Sequence, residues 1–183
     1  MNRALILIDI QNDYFKGGKN ELYMPEHAAT NASRVLEYFR NKGLPVYHVQ
    51  HINIREGATF FLPDSSGVEI HACVKPYQGE KIFIKHVPNS FFNTGLADEL
   101  KAKQIDHLTV CGMMSHMCID TSVRAAKDMG FSMAVLEDAC TTKDLIWDNS
   151  VIPASMVHNT IMASLQGIFA QVLTVDEFFI SFD

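Results

Sequence analysis

Short apolar runs alternate with longer stretches of helical periodicity from one end of the chain to the other. Ala4-Leu5-Ile6-Leu7-Ile8 fills a first strand over residues 3–9. A run with no polar alternation predicts a strand covered on both faces, as in a parallel sheet. Pro25 to Lys42 predicts a helix, because Ala28, Ala32, Val35, Leu36 and Phe39 fall on one stripe and Gly43 supplies a stop. Pro45-Val46-Tyr47-His48-Val49 predicts the second strand and residues 81–85 the third. Residues 107–112, Phe131 to Leu136 and Ala170 to Leu173 predict three more. Thr94 to Lys103, Ile119 to Met129 (closed by Gly130) and Ser155 to Gly167 predict helices between them.

Strand–helix alternation of this kind implies an α/β fold with a mainly parallel six-stranded sheet and helices on both faces. At 183 residues the chain fits a single domain, over residues 1–183, with a sizeable core. Residues 51–80 interrupt the alternation with Gly57, Pro63, Gly67, Pro76 and Gly79, and a stretch so long without periodicity is expected to be functional or an interface. Phe60, Phe61, Leu62 and Val68 lie in it without core periodicity, so they are expected to form an exposed apolar cluster for self-association.

Three polar side chains stand where apolar runs stop. Asp9 closes the first run, Lys85 closes Ile82-Phe83-Ile84, and Cys118 follows the run Leu108 to Gly112 after a short loop. Ligands of parallel sheets collect at the carboxyl ends of the strands, so folding is expected to bring the three together. A loop leading into a helix places Cys118 at a helix N-terminus, where an anion is stabilised, and Lys85 adds a full positive charge. Asp9 is then the expected general base for the thiol. Taken singly, each has a plainer reading: inert core for the cysteine, a cap or turn for the aspartate, solvent for the lysine. Their joint occurrence favours the chemical one.

The surrounding motifs resemble those of the isochorismatase-like cysteine hydrolases. Asp9-Ile10-Gln11-Asn12-Asp13-Tyr14-Phe15 is similar to that family's opening motif. Lys85-His86-Val87-Pro88-Asn89-Ser90-Phe91-Phe92-Asn93-Thr94 is similar to its lysine motif, and Gly112 to Val123 to its nucleophile loop and helix. The resemblance implies a three-layer α/β/α, Rossmann-like architecture. It implies an Asp9, Lys85, Cys118 triad acting through a thioester, and a small-molecule substrate with an amide, ureido or related C–N bond. It further implies a cis peptide at Met113–Met114, backbone N–H groups of Met114 and Cys118 as oxyanion donors, and a homo-oligomer. The paired methionines depart from the small or β-branched residues usual at that turn. Two other readings are a vinyl-ether hydrolase of the isochorismatase type, against which Cys118 counts, and a non-catalytic binding module, against which the retained triad counts.

Composition narrows the picture further. A formal net charge of -6 with scattered Lys and Arg argues against a nucleic-acid or anionic-membrane partner. No apolar run reaches the ~20 residues of a membrane span, and the opening lacks the layout of a signal peptide, so the cytoplasm is the expected location. Of Cys73, Cys111, Cys118 and Cys140, none forms a close metal or redox pair, and Cys111 and Cys140 read as core. No cofactor is expected, and without a Gly-x-Gly-x-x-Gly after the first strand dinucleotide binding is not supported. The Asp-x-His metal pair of the related nicotinamidases is replaced by Gln50-His51-Ile52-Asn53, so no metal is expected either; His51, His71 and His86 could still meet a metal in space, but the favoured reading is of pocket or backbone-bonding residues. A Cys111, His116, Cys118 zinc set is weaker, since a strand-interior Cys111 points away from the loop. Phe15, Ser90, Phe91 and His116 are the expected substrate-binding residues, with Phe60 and Phe61 as further pocket candidates, while Arg124 is expected in an ion pair.

Overall fold

The computed structural model describes residues 2–182. Six parallel strands form the central sheet: β1 (Arg3–Ile8), β2 (Val46–His51), β3 (Lys81–Lys85), β4 (His107–Met113), β5 (Ser132–Thr141) and, after a hairpin, the last sheet strand. The hairpin pairs β6 (Leu145–Trp147) with β7 (Ser150–Ile152), and the last sheet strand is β8 (Gln171–Leu173). The spatial order is β3-β2-β1-β4-β5-β8, so the direction of winding reverses between β1 and β4. Such a reversal opens a crevice beyond the carboxyl ends of the two central strands. β1 is buried from Ala4 through Ile8, as its unbroken apolar run requires, and its neighbour β4 is buried along its whole length.

Helices α1 (Pro25–Asn41), α2 (Leu96–Ala102), α3 (Asp120–Asp128), α4 (Ala154–Leu165) and α5 (Val175–Phe182) cover the sheet. Pro25 occupies the first turn of α1, where its missing N–H costs nothing. The predicted stripe from Ala28 to Phe39 is buried, and full burial of a side chain like Phe39 contributes on the order of 1.5–3 kcal/mol. Gly43 ends the helix at φ 63° and donates its N–H to the Arg40 carbonyl at 3.0 Å. Phe39 stacks on Phe178 of α5, which puts α1 and α5 on one face. Right-handed crossovers on the far side of the reversal carry α3 and α4 to the other.

Several elements differ from the sequence expectation, among them α5, which it did not include. β5 runs on through Glu137 and Asp138 to Thr141, with a bulge opposite Val110–Gly112. The polar pair hides this continuation because it serves other elements: the Asp138 carbonyl accepts Asn31 Nδ2 at 2.9 Å, and its carboxylate accepts the Val175 N–H at 2.8 Å to start α5. The β6–β7 hairpin turns on Asp148 and Asn149, both at positive φ (48° and 58°), a conformation Asp and Asn tolerate in tight hairpins. The hairpin exposes three apolar side chains close together, Ile146, Trp147 and Val151. Phe61 and Val68, expected outside in the 51–80 segment, are instead buried and Leu62 alone of that group is exposed. Burial follows from Asp13, whose carboxylate accepts the Phe61 N–H at 2.6 Å and draws that segment inward.

Candidate active site

Four strands deliver four polar groups to the crevice. Asp9 follows β1, His51 ends β2, Lys85 ends β3, and Cys118 lies in the loop after β4. Asp9 continues the sheet with its N–H on the Val49 carbonyl at 3.0 Å, then turns at φ 52°, the left-handed region that Asp enters more readily than most residues. His51 and Lys85 are register partners on adjacent strands. Cys118 sits in a π-helical turn, Ser115–Ile119, that runs directly into α3. The peptide bond Met113–Met114 is cis.

Gly112 sets how close these strands come. At φ 134° it would place an added Cβ 2.0 Å from the Ile8 carbonyl oxygen, so no side chain fits between β4 and β1 just before the turn that carries Cys118. Gln11 sets the position of His51: Nε2 donates to the His51 carbonyl at 2.9 Å and to the Val68 carbonyl at 2.7 Å, and Oε1 accepts the His51 N–H at 2.8 Å. Gln11 thereby ties the opening motif to β2 and to the irregular segment.

The Lys85 ammonium faces three acceptors, Asp9 Oδ2 at 2.7 Å, His51 Nδ1 at 2.8 Å and Cys118 Sγ at 3.2 Å. Burial disfavours the ammonium, but Asp9 and then Cys118 outweigh it and raise the Lys85 pKa. The contact with Asp9 is an ion pair at its Oδ2, and a hydrogen bond between Asp9 and the Cys118 thiol adds to what holds the thiol proton in place. A buried carboxylate bonded to the thiol is suited to receive its proton. Burial pushes the Cys118 thiol up, Asp9 pushes it further, and Lys85 pulls the other way without prevailing. The resting thiol is therefore protonated, where the sequence predicted enhanced thiolate character from Lys85 and a helix start; desolvation of a side chain only 4% exposed is the larger effect. His51 is held neutral, at about 4, first by burial and then by Lys85. With Nδ1 accepting from Lys85, its proton resides on Nε2.

Asp9, His51 and Cys118 also offer an oxygen, a nitrogen and a sulfur within 4.8 Å of one another, a donor set able to hold a metal ion. The Lys85 ammonium lies against all three, so a divalent cation there would have to displace a built-in one. His86 bonds the Ile52 carbonyl through Nδ1 at 2.7 Å, and His71 stacks on Phe15 with ring centroids 3.7 Å apart.

A cavity of about 480 Å³ opens beside this cluster, with His51, Met114, His116, Phe60, Arg55 and Lys143 in its wall. Of the expected substrate-binding residues, His116 lines it. Phe15, Ser90 and Phe91 do not: Phe15 is taken up by His71, Ser90 Oγ accepts from Ser122 Oγ at 2.7 Å, and Phe91 stacks on Phe131 in the core. These three hold the motifs in shape rather than face the cavity. Phe60 lines the cavity, whereas Phe61 packs on Tyr14 at 4.6 Å. Arg124 forms the expected ion pair, with Asp120 at 2.8 Å, and Cys111 and Cys140 are buried. Gln11, Arg55 and Lys143 were not singled out from sequence. The sequence pattern ends the second strand at Val49, whereas β2 continues to His51 and so pairs it with Lys85.

The structure is an α/β fold whose parallel sheet reverses beside a buried aspartate, lysine and cysteine. Residues 3–177 match the Isochorismatase domain, and the chain belongs to that family of hydrolases. It is 51% identical over 178 residues to the uncharacterized isochorismatase family protein YddQ of Bacillus subtilis (strain 168), covering 97% of this chain and 99% of that one. The crystal structure of an isochorismatase-family protein from Oleispira antarctica superposes with a TM-score of 0.94 at 43% identity, covering 98% of this chain and 96% of the other. More distant relatives show that the family includes amidohydrolases. Streptothricin hydrolase of Streptomyces noursei is 29% identical over 96% of this chain and 60% of its own length. Ureidoacrylate amidohydrolase RutB of Variovorax paradoxus (strain S110) is 32% identical over 62% and 42%. Among the described residues no helix is long and apolar enough to cross a membrane.

Proposed function

We propose that this protein hydrolyses a small amide or ureido compound through Cys118, with Asp9 as proton carrier and Lys85 as electrostatic organiser. The observation that carries the reading is the convergence of Asp9, Lys85 and Cys118 within 2.7 Å and 3.2 Å contacts in a dry pocket beside an open cavity. In the first half-reaction the thiol proton passes to Asp9 as Sγ attacks the carbonyl carbon. The C–N bond then breaks, and the departing nitrogen takes that proton. In the second, water attacks the thioester, gives a proton to Asp9, and the acid leaves as sulfur recovers the proton. The sum is amide plus water to acid plus amine or ammonia.

A thiol whose pKa is raised attacks only when its proton has somewhere to go, which makes Asp9 the acceptor the chemistry needs. Lys85 compensates whichever neighbour carries the negative charge. The backbone N–H groups of Met114 and Cys118 are the proposed donors to the tetrahedral oxyanion, at the turn that closes the cavity wall. No metal or cofactor enters this scheme.

Wild type and Cys118→Ala are to be compared in a mass-spectrometric screen of primary amides and ureides. Turnover by wild type alone, with a transient acyl adduct on the Cys118 peptide, is expected. Equal turnover by Cys118→Ala would overturn the reading. Self-association is part of the same proposal, supported by the exposed Ile146, Trp147 and Val151 of the hairpin, and light scattering of wild type and Trp147→Ser at micromolar concentration tests it.

A further inference from the structure

The charge inventory of the cavity runs against that of the chain. Acidic residues outnumber basic ones, 21 against 15. Yet the cavity wall holds Arg55 and Lys143 and no aspartate or glutamate. Five cations elsewhere, Arg34, Arg40, Lys81, Lys85 and Arg124, are each paired with a carboxylate. Arg55 and Lys143 meet no carboxylate among the described residues. Lys143 is half-buried and held by a neutral group, Asn20 Oδ1, at 2.7 Å, which aims its charge without cancelling it.

The other titratable groups of the wall do not offset this charge. His51 presents its Nε2 N–H, since Nδ1 is occupied by Lys85. His86 donates Nδ1–H to the Ile52 carbonyl, and His116 Nδ1 meets Thr142 Oγ1. Asp120, in the turn behind His116, is tied to Arg124 at 2.8 Å. Asp9 lies outside the wall and is matched by Lys85. A half-enclosed concavity with uncompensated cations in an acidic protein attracts an anion and repels a cation, and its low-dielectric walls strengthen the effect.

We infer that the substrate is a small monocarboxylate, an amide or ureide that carries a carboxylate at the end remote from the scissile bond, held by Lys143 and Arg55 while its carbonyl lies against Met114 and Cys118. The inference rests on the hydrolase reading above and adds the charge and polarity of the substrate to it. Bulk and hydrogen bonding then follow: the His51 Nε2–H donates to an acceptor on the substrate, and about 480 Å³ limits the molecule to a small one.

The test uses pairs that differ in charge, succinamate with succinamide and ureidoacetate with ureidoacetamide, with the succinamide rate halved for its two equivalent amides and the ureidoacetamide products analysed to count cleavage at the ureide alone. Binding is measured calorimetrically on Cys118→Ala, which cannot turn over, and kcat/KM on wild type. Each acid is expected to bind, and to react, at least tenfold better than its neutral partner. The preference should shrink with added salt, and Lys143→Gln and Arg55→Gln should each move the acid-to-amide ratio toward one. A neutral partner bound as well as or better than its acid would overturn the inference, as would failure of both acids to bind. Acids that bind Cys118→Ala but are not hydrolysed by wild type would count against the hydrolase reading and leave anion selection standing. Hydrolysis without charge preference would do the reverse.

Discussion

His51 Nδ1 accepts a hydrogen bond from Lys85 Nζ at 2.8 Å, across the carboxyl ends of two adjacent strands. The contact fixes the imidazole tautomer and completes the donor demand of the ammonium, whose other neighbours are Asp9 and Cys118. A hydrogen bond to a charged group is worth roughly 1.5–3 kcal/mol, and leaving a buried N–H unmet costs a similar amount. His51→Ala is therefore expected to lower kcat/KM by about 10–100-fold on a confirmed substrate, with the fold retained by circular dichroism. Unchanged kinetics would show that the ring only fills space.

Asp9→Asn and Lys85→Ala are expected to fail in different ways. Asp9→Asn removes the proton acceptor, so turnover drops by about 10²–10⁴-fold and no acyl-enzyme accumulates on intact-mass analysis. Lys85→Ala removes the charge that opposes burial of the thiolate, so the thiol becomes harder to ionise and the alkaline arm of the pH–rate profile moves to higher pH. A folded Asp9→Asn variant with near-normal turnover would rule Asp9 out as the base.

Much of this site was legible in the chain because the three triad residues sit at the ends of unmistakable apolar runs, and a parallel sheet brings strand ends together. What escaped was set by contacts between distant segments. Gln11 carries no local signal for clamping His51, and Lys143 faces the cavity only because β5 continues past Glu137 and Asp138. Phe15, Ser90 and Phe91 sit inside motifs, but motif membership does not say whether a side chain supports the site or faces it. The thiol's protonation likewise depends on the degree of burial, which spacing cannot give.

Alkylation reports on that protonation. Limiting iodoacetamide is expected to label Cys118 ahead of Cys111 and Cys140, because Asp9 is placed to take its proton whereas those two are buried within β4 and β5. Because the Cys118 pKa is raised, the thiolate fraction keeps growing on the alkaline side, so its labelling rate should still be climbing beyond pH 9. A plateau near neutral pH, read by peptide mass against time, would show that Lys85 and the helical turn dominate over burial.

Acid should weaken the fold before most carboxylates titrate. His51 and His107 are both held at about 4, first by burial, so each favours the neutral form in the folded state. A depressed histidine contributes stability above its unfolded value near ~6.5 that is lost as pH falls toward the folded value. Thermal melts are expected to show a falling Tm between pH 6.5 and 4, with a shallower decline in His107→Gln. A Tm constant over that window would mean the two rings find proton partners on titration.

Gly112→Ala tests whether the approach of β4 to β1 is as close as the geometry requires. The added Cβ would stand 2.0 Å from the Ile8 carbonyl oxygen, and the glycine's φ of 134° lies where a side chain is strained whatever the space. The contact cannot relax by a side-chain rotation, since the opposing atom is backbone of the buried strand β1. A loss of at least about 3 kcal/mol is expected, in the range reserved for a named steric mechanism. For a chain of this length that is a Tm decrease of roughly 6–12 °C. The same shift would displace the Met113–Cys118 loop from Asp9 and Lys85, so activity measured well below the new Tm should fall as well. A variant with wild-type Tm and turnover would mean that the two central strands can part without cost, and the close packing that seats Cys118 beside Lys85 would have to be attributed to another element.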